Sequence, residues 1–171
     1  RSGYYTPRTG TRSYLFLNQV LVQTGAGLPG NWGGDWQMDP RVVNHPEYAG
    51  RIRDDMKSLP VVSLALDPMG FWGPTGIYTL TSGRGDEYER ECSVEMFFPD
   101  GSEPGFQANC GIQMVGGASR TMTPKHGVGL TFKARYGPTK LRYRFFPDSE
   151  VDEFDFIAFR PNFNMSWVRT D

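Results

Sequence analysis

Between two runs of alternating apolar residues the chain places Gly116-Gly117-Ala118-Ser119-Arg120, with Lys125 a short step further on. Glycine leaves backbone N–H groups open to a ligand, a serine hydroxyl can donate a further hydrogen bond, and arginine or lysine adds positive charge. This combination suits the phosphates of a nucleotide, so Gly116, Gly117, Ser119, Arg120 and Lys125 form the candidate binding set. Taken alone, the same loop also reads as an ordinary connection between strands. Lys133 is a second candidate for the phosphate lysine. It alternates with apolar neighbours on a strand and has a plain reading as a solvated side chain; Lys125 is preferred for its place beside the loop.

Other chemistry-bearing residues are less pointed. Acidic residues gather at Asp148, Glu150, Asp152, Glu153 and Asp155, but they lack the glycine and terminal glutamate of a calcium loop and read as a solvated acidic segment. His45 and His126 have no partner of triad type, and neither Cys92 nor Cys110 sits in a nucleophile motif, so no hydrolytic, catalytic or metal site is assigned. Arg84-Gly85-Asp86 spells an adhesion tripeptide and Asn164-Met165-Ser166 a glycosylation sequon; both are short enough to arise by chance. Trp32, Trp36 and Trp72 could stack on sugar rings or pack into a core.

The elements that must position these residues are mostly short strands. Residues 1–38 read as the end of a preceding β module and a linker, with an extended stretch through Tyr14, Phe16, Val20 and Val22. Asp39-Pro40 is a cap followed by a first-turn proline, and Tyr48, Ile52 and Met56 recur at helical spacing, which predicts a helix over residues 46–58. From Pro60 the pattern turns to strands: Val61 to Leu66, then Gly76 to Leu80, with Asp67 to Pro74 as a turn or a single helical turn that packs Phe71 and Trp72. Strands over Arg90 to Phe98 and Phe106 to Met114 form a hairpin, because Cys92, Val94, Met96 and Phe98 alternate with polar residues, as do Ala108, Cys110, Ile112 and Met114. Cys92 and Cys110 should share one apolar layer, either as a cross-strand bridge or as paired buried thiols. Strands over Val128 to Tyr136 and Lys140 to Phe146, joined by a turn, and a last one near Phe154 to Phe159 complete the set. The glycine loop should close a hairpin with Lys125 at the start of the next strand. The expected fold is α+β, a mainly antiparallel sheet of about five strands with one covering helix.

An apolar fraction of 38% with 12 Phe, 8 Tyr and 4 Trp in 171 residues suffices for a core. A net charge of -1 lacks the basic field that nucleic acid or an anionic membrane surface attracts. No apolar run reaches the roughly 20 residues that span a bilayer. The opening on Arg1 and the stop at Asp171 read as cuts from a longer frame.

The ordered series Leu59-Pro60-Val61-Val62-Ser63-Leu64, Thr75-Gly76-Ile77-Tyr78, Glu89-Arg90-Glu91-Cys92-Ser93-Val94-Glu95, Phe106-Gln107-Ala108-Asn109-Cys110-Gly111-Ile112 and Gly116-Gly117-Ala118-Ser119-Arg120 resembles the opening of spore-coat protein H (CotH) kinase-like domains. Pro124-Lys125-His126, Phe132-Lys133, Tyr136-Gly137-Pro138 and Lys140-Leu141-Arg142-Tyr143 extend the likeness, which covers residues 39–171. Residues 11–23 resemble the close of a chitobiase-carboxy-terminal-like β repeat. The resemblance implies an incomplete kinase-like front lobe of a secreted or cell-surface protein, with ATP, magnesium or manganese and a protein substrate belonging to an active full-length domain and no cofactor firmly implied for this chain. It places the metal-binding and catalytic carboxylates in a later lobe, so this chain alone should transfer no phosphate and bind ATP weakly or not at all. Gly127 and Gly129 stand where the family commonly has Ser and a basic residue. A noncatalytic β module for carbohydrate or cell-surface binding, or a degenerate kinase-like scaffold, is the alternative.

Overall fold

The computed structural model describes residues 10–27, 36–122 and 125–161. Its centre is the hairpin of β2 (Arg90–Phe97) and β3 (Phe106–Val115), in which Cys92 lies directly opposite Cys110 and Val94 opposite Ala108. The turn between them is closed by Gly101 N–H donating to Phe98 O at 2.9 Å and Ser102 N–H donating to Asp100 Oδ1 at 2.9 Å. This is the local chemistry that Asp-Gly-Ser favours. β1 (Val61–Leu66) pairs with β2, β4 (Gly127–Thr131) with β3, and β7 (Phe156–Phe159) with β4, all antiparallel, giving the order β1-β2-β3-β4-β7. β5 (Leu141–Arg142) and β6 (Glu153–Phe154) form a separate two-stranded ribbon. With α1 (Leu17–Val22), α2 (Pro40–Val43), α3 (Ile52–Lys57), α4 (Pro68–Trp72) and α5 (Ser119–Met122), the fold is α+β as the sequence implies.

Several elements differ from the sequence pattern for identifiable reasons. The stretch Tyr14 to Val22 is not extended: the chain closes local bonds from Gln19 and Val20 N–H to Phe16 O and forms α1, leaving Tyr14, Phe16 and Val22 exposed. Residues 46–51 are turns, so the single helix expected over 46–58 shrinks to α3, while Asp39 caps α2 through Arg41 N–H at 2.8 Å with Pro40 in the first turn. Gly76 to Leu80 is a turn, not a strand. Ile77 and Tyr78 are consecutive and both buried, which a strand with one covered face cannot achieve, and their N–H groups donate to Gly70 O and Phe71 O of α4. Asp67 caps α4 at Met69 and Gly70, and Phe71 packs inward as expected. β4 stops at Thr131, far short of Tyr136, and β5 pairs with β6 rather than with β4. The segment near Phe154 to Phe159 is split between β6 and β7.

The core lies on the face carrying Cys92, Val94, Ala108, Cys110, Ile112 and Leu130, closed by Phe71, Ile77, Tyr78 and Phe132. Ile77, Val94, Ile112 and Leu130 are essentially without exposure. Each such aliphatic side chain contributes roughly 1.5–3 kcal/mol by burial.

The opposite face of the sheet is covered as well. Residues 11–13 form a strap along β2: Thr11 Oγ1 lies 2.7 Å from Ser93 Oγ, Arg12 Nη1 donates to Glu95 Oε1 at 3.0 Å, and Ser13 N–H donates to Glu95 Oε2 at 2.6 Å. Gln107 Nε2 adds a bond to Ser93 Oγ at 2.8 Å. Ser93 and Glu95 are therefore buried, although they alternate with the core residues. The contacts cross residue 38: Arg53 Nε of α3 also donates to Asn18 Oδ1 of α1 at 2.7 Å.

Burial by itself pushes the Glu95 carboxyl up, but the Ser13 and Arg12 bonds outweigh it and hold the group below its ordinary value of 4.5. Its folded value being the lower one, this carboxylate stabilises the fold fully above 4.5 and loses that contribution as pH falls through the folded value. Glu95→Gln should lower stability by about 1–2 kcal/mol and speed tryptic cleavage after Arg12 at neutral pH. Wild type should lose more stability on acidification than the variant. Equal cleavage rates would mean that Glu95 does not hold the strap.

Candidate functional site

β3 runs out at Val115 and the chain turns on Gly116, whose φ of 109° lies in the region open to glycine. A side chain there would also run into Ser119 Oγ, so the bend sits directly over that hydroxyl. The chain then makes one helical turn, with N–H groups of Thr121 and Met122 donating to Ala118 O at 3.0 Å and Arg120 N–H to Gly117 O at 3.1 Å. The loop closes a hairpin, as expected, through a glycine bend and α5 before β4 returns alongside β3.

Gly116, Gly117, Ala118 and Ser119 border a cleft of about 430 Å³, whose other side is formed by Val115 and by Ala158, Arg160 and Pro161 at the end of β7. Ser119 borders the cleft but is largely buried. Lys125 is exposed, just before β4, and does not border the cleft.

Arg120 is turned the other way. It is 7% exposed; Nη1 donates to Thr81 O at 3.0 Å and Gly83 O at 2.9 Å, and Nη2 to Met114 O. Its Nε is buried with no hydrogen-bond partner. Burial lowers its pKa, with the charge of Arg84 acting in the same direction. The guanidinium ties the base of the loop to the segment after Tyr78 and does not border the cleft.

His126 supports the loop from beneath. Its N–H donates to Tyr78 Oη at 3.0 Å, its ring lies 4.5 Å from that of Tyr78, and Nδ1 is 3.4 Å from Ser119 O. Burial holds the imidazole below 6.5, against a weaker opposite pull from Ser119.

Lys133, the second candidate for the phosphate lysine, is not a solvated strand residue but part of an ion-pair network. It lies beyond the end of β4, with Nζ 2.6 Å from Glu89 Oε2 and 2.9 Å from Asp86 Oδ1. Arg135 bridges the same two carboxylates, at 3.0 Å to Glu89 Oε1 and 2.9 Å to Asp86 Oδ2, and its guanidinium sits 4.8 Å over the Tyr136 ring. The Glu89 side chain is 2% exposed. Glu89 first, then Asp86, raises the pKa of Lys133; Lys133 and Arg135 lower that of Asp86. Asp86 of the Arg-Gly-Asp tripeptide is committed to this network.

Arg142 Nη2 pairs with Glu153 Oε1 at 2.8 Å, and the acidic segment uses the carbonyls of Asp152 and Asp155 to accept from Tyr143 and Phe132 N–H. Among the described residues no three His, Cys, Asp or Glu side chains gather where they could hold a metal ion, and no helix is long and apolar enough to cross a membrane. Trp36 and Trp72 meet edge-on at 6.0 Å and 66°, and Trp72 is wedged against Phe71 and Tyr78. Trp32 and the sequon at Asn164 lie outside the described residues. At Gly129 a side chain would run into Phe156 and Val115, so there is no room for the basic residue that stands there in the resembled family.

Arg160 lies in no motif, and Glu89 and His126, although inside segments that carry the resemblance, have no role assigned there; each acquires its place only through long-range pairing. Compared with known proteins, the chain matches no family model, no curated protein and no solved structure.

Replacing Arg120 by Met leaves three carbonyls without their donor and should lower stability by about 2–4 kcal/mol in a urea titration; a change under half that figure would mean the loop is held by other contacts. Glu89→Gln, which uncouples the half-exposed Lys133 and Arg135 from a buried acid, should lower the unfolding free energy by about 2 kcal/mol, the loss shrinking when Lys133 and Arg135 are already replaced by Met.

Proposed function

We propose that the chain carries the nucleotide-holding front lobe of a CotH-type, kinase-like domain belonging to a secreted or cell-surface protein. The observation that carries this reading is the cleft of about 430 Å³ bordered by Gly116, Gly117, Ala118 and Ser119 and by Arg160. A concave site of this size with a glycine-rich wall and one cation fits a polyphosphate better than a flat or purely apolar ligand. The ordered series of segments from Leu59 to Tyr143 supports the family reading, and the extracellular setting rests on that resemblance.

In this reading the loop N–H groups and Arg160 contact phosphate, while Arg120, His126 and Tyr78 hold the loop in shape without touching the ligand. Lys125, exposed on the approach to β4, contributes long-range attraction. The described lining has no Asp or Glu. Magnesium or manganese bound with the nucleotide would therefore take its protein ligands from elsewhere, and the residues present bind and orient rather than transfer a phosphoryl group. The edge-on packing of Trp36 and Trp72 gives less support to the carbohydrate-binding alternative, which calls for an open aromatic face.

Gly117 has open space where a side chain would stand, so Gly117→Asp keeps the fold and sets a negative charge at the cleft. Calorimetric titration with ATP or ADP, each with magnesium or manganese, should give weak binding to wild type, at least tenfold weaker binding to Gly117→Asp and several-fold weaker binding to Arg160→Ala. No phosphate should be transferred to a protein acceptor. Absence of nucleotide binding by wild type, or indifference to both substitutions, would overturn the reading.

A further inference from the structure

We propose that Cys92 and Cys110 are a disulfide-forming pair, joined across β2 and β3 when the protein folds in the presence of a disulfide donor such as oxidised glutathione. The two residues are direct register partners in the antiparallel ladder. Opposed residues in such a ladder have Cα atoms about 4.5–5.5 Å apart, inside the about 4.4–6.8 Å window that a disulfide spans. Both side chains point into the same apolar layer, at 2% and 0% exposure, and both are free thiols. Cys92 Sγ donates to the carbonyl of Ser93 at 3.6 Å. No third ligand-type side chain joins them among the described residues, so the pair is not part of a metal cluster there. Two thiols held together, oriented by one register and walled by Val94, Ala108 and Ile112, are preorganised for bonding to each other and to little else.

The chemistry is ordinary thiol–disulfide exchange. One cysteine, as thiolate, attacks a sulfur of oxidised glutathione; an S–S bond forms to the protein and one glutathione thiolate leaves. The second cysteine loses its proton and attacks the protein sulfur of that mixed disulfide, expelling the second glutathione. The protein loses two protons and two electrons, and the glutathione disulfide takes them up to become two thiols. In the finished fold both the neighbouring thiol and burial push the Cys110 thiol up, which keeps it protonated and slow to react. Exchange is therefore fast in the folding chain and, once the sheet is complete, limited by transient opening of the hairpin.

The test is to refold the chain with reduced and oxidised glutathione, denature it in acid, alkylate, and map the digest by mass spectrometry without reduction. The expected product is a monomer lighter by two hydrogens, with neither cysteine alkylated and the peptides containing Cys92 and Cys110 recovered as one linked species. Its urea midpoint should lie above that of the reduced protein, and dithiothreitol should remove the difference. Cys110→Ala should unfold at a midpoint independent of the redox buffer. Recovery of both cysteines as alkylated thiols in a folded monomer, or only as intermolecular dimers, would overturn the proposal. The wild-type measurement decides the matter even if the alanine variant does not fold.

Discussion

The rest of the molecule hangs on the register of β2 against β3. Because side chains alternate with a period of two, setting Cys92 opposite Cys110 sends Cys92, Val94, Met96, Ala108, Cys110, Ile112 and Met114 to one layer and Glu91, Ser93, Glu95, Gln107, Asn109 and Gln113 to the other. The layer so formed gives Phe71, Ile77, Tyr78 and Phe132 something to cover. It also fixes where β3 ends, hence where Gly116 bends, and it leaves Ser93 and Glu95 on a face that must be solvated or covered. A slip of one residue would put the Glu95 carboxylate in the apolar layer and Val94 outside it, which no other contact could offset.

The charged groups divide into two kinds. Arg120 and Glu89 are enclosed, and each binds together segments that are distant in sequence: Arg120 ties α5 and β3 to the stretch after Tyr78, and Glu89 ties the entry of β2 to the exit of β4 through Lys133 and Arg135. Surface pairs such as Lys57 with Asp54 are exposed and contribute little. The glycine bend is thus shaped by groups lying beneath it. An arginine that looks in sequence like a ligand is, in space, part of the support.

What could be read from the sequence follows from this. β1, β2, β3 and α4 were legible because their signals are local: strict alternation, an Asp-Gly turn, an Asp-Pro cap. The stretches at Tyr14 to Val22 and Gly76 to Leu80 look like strands by composition, but neither joins the sheet and each closes hydrogen bonds locally. Lys133 and Arg135 lie beyond the end of β4, where both pair with Asp86 and Glu89. For the site, the glycine bend was legible, since only glycine suits a positive φ above a serine hydroxyl. The inward turn of Arg120 and the arrival of Arg160 were not, because the first depends on the segment after Tyr78 and the second on β7 pairing with β4.

The strap over β2 bears on how such a sheet can be recombined with other modules. A boundary drawn by composition falls near residue 38, yet the groups that neutralise Glu95 and satisfy Ser93 lie at Thr11, Arg12 and Ser13. A gene fusion joined at residue 38 would inherit an anion stranded on its outer surface, unless the incoming partner happened to supply a cation and an N–H in the same place. Heritable exchange of whatever precedes this sheet should therefore break upstream of Thr11, and residues 12 and 95 should change together across lineages.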